Sequence, residues 1–352
     1  MKALYYEKPL RENASIREMP NPVCQSHDII IKVMSCSICH GVEADHEVPG
    51  GSGCSSYPLI PGHEFAGYVH EVGDAVTTFR VGDRVTADNT VTCGVCHYCK
   101  KGDLIHCPDK MNLGNKASGG FAEFVKVSEH KAVRLPDHVS FNEGCLSEPV
   151  ACCIHSMDQM DIRYGDDVLV MGAGPMGMIL AMMAMHSHAS RVVVCASSAA
   201  KLEKVKALGI ETVLMDRSDY SRHETELLSR YPLGFDCLFD TTGAEELVYS
   251  TPKLMKMGVK ILGYGYYRGA HSTLRFPFNE FWDKELTYYS SLSQVGDFER
   301  AVDAIATGKV NAKALISGEY DLDHYFDGLD RVMREKDVIK IIIHPNAEPG
   351  AL

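Results

Sequence analysis

Cys93, Cys96, Cys99 and Cys107 space four thiols as C-x2-C-x2-C-x7-C, which a single tetrahedral metal ion can satisfy. Crowded thiolates repel one another unless a divalent cation compensates their charge, so the spacing predicts a structural zinc. Such a closed shell leaves no open coordination position: it locks a loop and does no chemistry. A second set of donors is chemically open. It comprises Cys39, then His63 and Glu64 in Pro61-Gly62-His63-Glu64, then Glu148 in Leu146-Ser147-Glu148-Pro149. A thiolate, an imidazole and one or two carboxylates can hold zinc and leave a place for water or substrate. Taken singly, Cys39 also reads as a buried cysteine, His63 as a satisfied core histidine and Glu148 as a helix-start carboxylate near the positive end of a dipole.

A third constellation binds rather than reacts. Residues 168–177, VLVMGAGPMG, run from an apolar β-branched strand into Gly172-x-Gly174-x-x-Gly177, with Pro175 and Met176 inside the turn, and on into an apolar helix. A second strand, Arg191 to Cys195, follows. In that context the glycines permit a tight turn and close backbone approach to a pyrophosphate, whose charge is met by amide N–H groups at the helix start. The methionine-rich stretch from Met176 to Met185 reads as core packing.

These features together resemble the zinc-dependent medium-chain alcohol and polyol dehydrogenase family over essentially the whole chain. The matching stretches include Ser37-Ile38-Cys39-His40, Pro61 to Gly67, Val81-Gly82-Asp83-Arg84-Val85, the four cysteines, Gly119 to Phe124, Glu148-Pro149 and the glycine fingerprint. The resemblance implies Cys39 and His63 as zinc ligands, with Glu64 and Glu148 as carboxylates that ligate directly or through water. It implies the sorbitol and threonine branch rather than the ethanol branch, whose third protein ligand is a second cysteine; Cys145, Cys152 and Cys153 flank Glu148 and rank below it for that role. His40 matches a position where some relatives place a basic group near the cofactor phosphates.

Counting back from Lys201-Leu202, which matches the start of the family's next helix, the acid that usually holds the ribose of NAD falls on Ala196. Loss of that carboxylate removes repulsion against a 2′-phosphate, Ser197 and Ser198 offer donors, and Lys201 or Arg217 could supply a cation. The expectation is NADP in preference to NAD; the other reading is that the acid is merely absent and NAD still binds.

The elements that must position these residues change character along the chain. Short β-branched segments separated by Gly and Pro, such as Asp28 to Val33 and Glu64 to Val72, read as a β-rich catalytic domain. Strands alternate with helices from about Ile154 to about Tyr289, the pattern of a parallel nucleotide-binding sheet. The final segment, with a helix from Phe298 to Ala306 and a strand from Val338 to His344, returns to the first domain by the resemblance. The expected fold is therefore α/β: a β-rich GroES-like catalytic domain of residues 1–153 and 290–352, and a Rossmann doubly wound dinucleotide-binding domain of residues 154–289.

With 352 residues the chain can bury two cores, and its net charge of −12 with scattered basic residues argues against a nucleic-acid partner. No stretch reaches the roughly twenty apolar residues of a membrane span, and Met1-Lys2-Ala3-Leu4 leads directly into a strand-like segment, so the expected location is the cytoplasm. Five of the 13 cysteines serve metal in this reading, and the remainder are expected reduced.

The implied reaction is hydride transfer between a secondary alcohol or polyol, or the ketone in reverse, and a nicotinamide cofactor, with two zinc ions per chain and a homodimer or homotetramer. One departure stands out. The family passes the released proton through a Ser or Thr two residues after the ligand cysteine, followed by Asp, where this chain has Gly41 and Val42. Glu43, Asp45 and His46 form a nearby polar cluster that could reroute the proton but also reads as a solvated loop, and Glu64 or Glu148 through the zinc-bound water is the other route. Alternatives are a noncatalytic structural or redox-sensing protein that keeps the fold and metals, and a reductase of simple ketones. The regions Cys24 to Ser26 and Gly50 to Tyr57 read as variable loops at the substrate.

Overall fold

The computed structural model describes residues 1–47, 56–265 and 275–346; of the expected loop from Gly50 to Tyr57, residues 50–55 lie outside the described residues. The chain divides into two compact units, Met1–Ala151 with Gln294–Leu352, and Cys152–Ser293.

The first unit is built on a seven-stranded sheet whose central strand, Asp28–Ser37, pairs antiparallel with Glu64–Val72, Phe124–Ser128 and Lys340–His344. Ile29, Ile31 and Val33 alternate along that strand and enter one apolar cluster with Leu4, Tyr6 and Phe65, the period of two expected of a strand with a core face. The strand runs four residues past Val33, where the β-branched run ends, because pairing rather than composition sustains it. Cys36 faces Phe65 and Ser37 faces Glu64 on one side, while Ile343 and Ile342 hold the same two residues on the other. This extension delivers Cys39 to the segment that carries His63. At the other boundary, Lys340–His344 begins two residues after Val338, and the Ile339 N–H donates to Ser317 Oγ at 2.9 Å.

The second unit is a six-stranded, wholly parallel sheet. Numbered from its first strand, Asp167–Met171, the spatial order is 3-2-1-4-5-6, the doubly wound order of dinucleotide-binding sheets. Two of its inner strands, Asp167–Met171 and Arg191–Ala196, are apolar and buried on both faces after their first residue, as a parallel sheet covered by helices requires. Leu169 lies between Val193 and Leu238 in register, and all three are fully buried. Met178, Met182 and Met183 are buried on the Pro175–Met185 helix, so that stretch does pack into the core.

Candidate active site

The four-cysteine loop is preorganised by its own backbone. Cys96 caps the short helix His97–Lys100 by accepting from the Cys99 N–H, and the Cys93 and Cys96 N–H groups donate to Cys107 Sγ and Cys93 Sγ, both at 3.4 Å. Backbone N–H groups of Val95 and Cys96 draw the Cys93 thiol down to about 7. All four sulfurs lie within 4.8 Å of one another, with Cys96 and Cys99 at 3.5 Å and Cys93 and Cys99 at 3.9 Å. A tetrahedron of Zn–S bonds has edges of about 3.8 Å, so the donors fit zinc as they stand. Among the described residues no cysteine is joined in a disulfide.

The open set gathers where the extended central strand ends. Cys39, His63 and Glu64 bring ligand atoms within 4.8 Å of one another. Gly62 makes this approach feasible: its φ is +97°, and a Cβ there would meet the Phe121 nitrogen at 2.7 Å and Cys36 Sγ at 2.9 Å. The segment is clamped from Gly119-Gly120-Phe121, whose N–H groups donate to the carbonyls of Ile60, Gly62 and Pro61 at 2.7–3.0 Å. Glu148 stands outside that cluster among the described residues. It lies in the first turn of the Ser147–Met160 helix, buried, and its charge helps hold Lys340 protonated.

Two partners organise this set, and spacing alone did not reveal either role. Glu43 is fully buried; its Oε2 accepts from the Cys39 N–H at 2.8 Å, and its Oε1 sits 3.5 Å from His63 Nδ1. Among the described residues Glu43 Oε1 and His63 Nδ1 meet no other hydrogen-bond partner, so they face each other. Burial opposes the charge on both groups. Their mutual attraction outweighs it, lowering the Glu43 carboxyl and raising the His63 imidazole. A carboxylate on Nδ1 fixes the imidazole tautomer that leaves Nε2 for a metal. The second partner is Lys340, 2% exposed, whose Nζ donates to both Glu64 oxygens at 2.5 and 2.6 Å. Burial works against that ammonium, but Glu64 and Cys39 raise its pKa. A lysine directly before three isoleucines in the Lys340–His344 strand was the available signal. This mixed sulfur, nitrogen and oxygen set fits zinc.

His40 and Gly41 are exposed beyond Cys39, whereas Glu43, Asp45 and His46 are buried in the 3-10 turn Glu43–Glu47. His46 Nδ1 lies 2.6 Å from the Tyr57 hydroxyl, and its ring stacks on Tyr6 at 5.0 Å. Cys24 to Ser26 line a cavity of about 460 Å³ with Glu71 to Asp74.

In the second unit the fingerprint forms the turn between the first strand and the Pro175–Met185 helix, which Gly174 caps with Pro175 in its first turn. A Cβ on Gly177 would meet the Gly172 carbonyl oxygen at 2.1 Å, whereas one on Gly174 would meet nothing within 4 Å. That open space at the helix start fits a pyrophosphate. Ala196 ends the Arg191–Ala196 strand, buried, and its carbonyl accepts from the Met215 N–H. Ser197 and Arg217 are exposed, while Ser198 caps the following helix by accepting from the Lys201 N–H at 3.4 Å. The acid nearest in sequence to Arg217, Asp216, already accepts from Ser218 and Arg222.

Comparison with known proteins agrees with this geometry. Residues 25–137 match the alcohol dehydrogenase GroES-like domain and residues 175–307 the zinc-binding dehydrogenase family. D-arabinitol dehydrogenase 1 of Uromyces fabae is 31% identical over 348 residues, 98% of this chain and 97% of that one. Sorbitol dehydrogenase of Halalkalibacterium halodurans is also 31% identical, over 98% of this chain and 99% of its own. Among solved structures, a protein described as a zinc-binding dehydrogenase from Sinorhizobium meliloti 1021, bound to NADP, superimposes with a TM-score of 0.87 at 27% identity, covering 98% and 99% of the two chains. A short chain alcohol dehydrogenase from Escherichia coli CFT073, complexed with NADH, superimposes with the same TM-score at 25% identity and the same coverage. With a GroES-like unit carrying both donor sets and a Rossmann unit carrying the fingerprint, the chain belongs to the zinc-dependent medium-chain alcohol and polyol dehydrogenase family.

Proposed function

We propose that the protein oxidises a secondary alcohol of a polyol to the ketone, reversibly, with NADP(H) preferred over NAD(H). The observation that carries this reading is the Cys39, His63 and Glu64 cluster with Glu43 and Lys340 behind it, in a chain whose relatives include arabinitol and sorbitol dehydrogenases. Zinc held there supplies a Lewis acid that lowers the pKa of a substrate hydroxyl. Cys39 and His63 are the proposed ligands, and Glu64 and Glu148 the carboxylates that ligate directly or through water. Glu43 orients His63, and Lys340 restrains Glu64 through both of its oxygens. The cysteine loop holds a second, structural zinc. A bound nicotinamide would accept the hydride of the substrate C–H bond, and the hydroxyl proton would leave through this chain's own groups. With Gly41 and Val42 offering no hydroxyl, that proton passes to the buried cluster of Glu43, Asp45 and His46.

The turn from Gly172 to Gly177 takes the pyrophosphate, with amides at Pro175 to Gly177 facing its charge wherever an N–H exists. Ala196 removes the carboxylate that would hold an NAD ribose, and Ser197, Ser198, Lys201, Arg217 and His40 are the polar groups proposed to meet the cofactor phosphates. The two cofactor-bound relatives carry NADP and NADH, so preference turns on this chain's own residues. The test is kcat/KM for both cofactors at one fixed polyol concentration, in wild type and Ala196→Asp. The wild type prefers NADP, and the variant shifts toward NAD by roughly one to two powers of ten. An NAD-preferring wild type overturns the cofactor assignment, and an unshifted variant overturns its cause.

A further inference from the structure

A third group of metal donors lies in the first unit, apart from both sets described above. The ligand atoms of His27, Glu129 and His130 fall within 4.8 Å of one another. The backbone brings them together: Asp28 pairs with Ser128 at the end of a strand ladder, and the Glu129 N–H donates to the His27 carbonyl at 3.0 Å. Glu129 is the fixed member. It is 5% exposed, and its Oε2 accepts from the Thr78 hydroxyl at 2.9 Å and the Thr77 N–H at 3.2 Å. Its Oε1 faces His27 Nδ1 at 3.3 Å. The imidazoles are exposed arms on either side of it, their rings 6.3 Å apart and inclined by 26°.

We propose that His27, Glu129 and His130 form a binding site for a divalent transition-metal ion of the zinc class, additional to the sites of the dehydrogenase reaction and independent of it. Two imidazoles with one carboxylate select zinc, nickel or copper over calcium and magnesium, which favour oxygen donors. Zinc bonds of about 2.1 Å place tetrahedral donors about 3.4 Å apart; His27 Nδ1 and Glu129 Oε1 already stand at 3.3 Å, and rotation of the solvent-exposed histidine side chains about the anchored carboxylate brings the remaining separations, all within 4.8 Å, to that spacing. Three protein donors leave one position to water. Ion uptake here is therefore exchangeable, and it ties the His27 turn to the 3-10 turn Glu129–Lys131 at the start of the strand that leads to Cys39.

The experiment is calorimetric titration of zinc chloride into the metal-loaded full-length protein, wild type and H27Q/H130Q, with melting curves of both in the absence and presence of added zinc. Comparing the two proteins removes any dependence on how many zinc ions are already resident. The wild type takes up one more equivalent than the variant, and only the wild type melts higher with added zinc, as binding to the folded state demands. Equal uptake by the two proteins overturns the site. The exposed substitutions should leave the melting temperature without added zinc unchanged. If they do not, E129Q, which keeps both histidines and the side-chain shape, is titrated instead: it must lose the extra equivalent, and its retention of that equivalent overturns the site equally.

Discussion

The most consequential side chain beyond the proposed ligands is Lys340. Burying an ammonium at 2% exposure is tolerable only because both oxygens of the equally buried Glu64 accept from it. Lys340→Met should leave Glu64 as an uncompensated buried charge and destabilise the first unit by about 3–5 kcal/mol. Lys340→Met/Glu64→Gln should recover a large part of that loss, because the orphaned charge is gone. Denaturant unfolding of the two single variants and the double variant measures the coupling; additive effects would show that the pair does not act as one. A lysine before three isoleucines was visible in sequence, but its partner was not, since the two stand 276 residues apart and only strand pairing joins them. The glycine fingerprint was legible because its geometry is local. Glu43 fell between: the polar cluster after Cys39 was evident, but its position against His63 Nδ1 depends on the 3-10 turn that follows.

Two elements present the proposed metals, and they differ in what they cost to lose. The cysteine loop takes its shape from N–H to sulfur bonds and a four-residue helix, with little apolar burial to hold it in the absence of an ion. Cys96→Ser should therefore lower the melting temperature and the yield of folded protein. Cys39→Ser, on a segment fixed by an apolar sheet, should leave melting close to wild type. Once dialysis has removed exchangeable ion, elemental analysis should find two zinc ions in the wild type and one in Cys39→Ser. A single zinc in active wild-type protein contradicts this division. The boundaries that sequence misplaced have one cause. Asp28–Ser37 outruns its β-branched stretch through pairing on both sides, and Lys340–His344 starts late because Ile339 donates to a side chain. Periodicity records burial, whereas strand ends are set by partners.

At the scale of the molecule, one unit supplies the proposed metal sites and the other the dinucleotide turn, a division already visible in the switch from turn-punctuated strands to alternating strands and helices. Among the described residues no helix is long and apolar enough to cross a membrane. Among the described residues the Thr287–Ser290 strand ends the parallel sheet with one edge unpaired, and we propose a homodimer or homotetramer built through such edges. Light scattering at micromolar concentration should return two or four chains, and a monomer contradicts the proposal. The central claim is polyol oxidation that depends on the Cys39 centre. Its most direct test follows the near-ultraviolet absorbance of the reduced cofactor with zinc-loaded wild type and Cys39→Ser, over a panel of polyols, simple alcohols and ketones. Polyols should drive cofactor reduction by the wild type, and Cys39→Ser, folded and retaining its one zinc, should lose that turnover. No absorbance change with any polyol, or undiminished turnover by Cys39→Ser, would contradict the account.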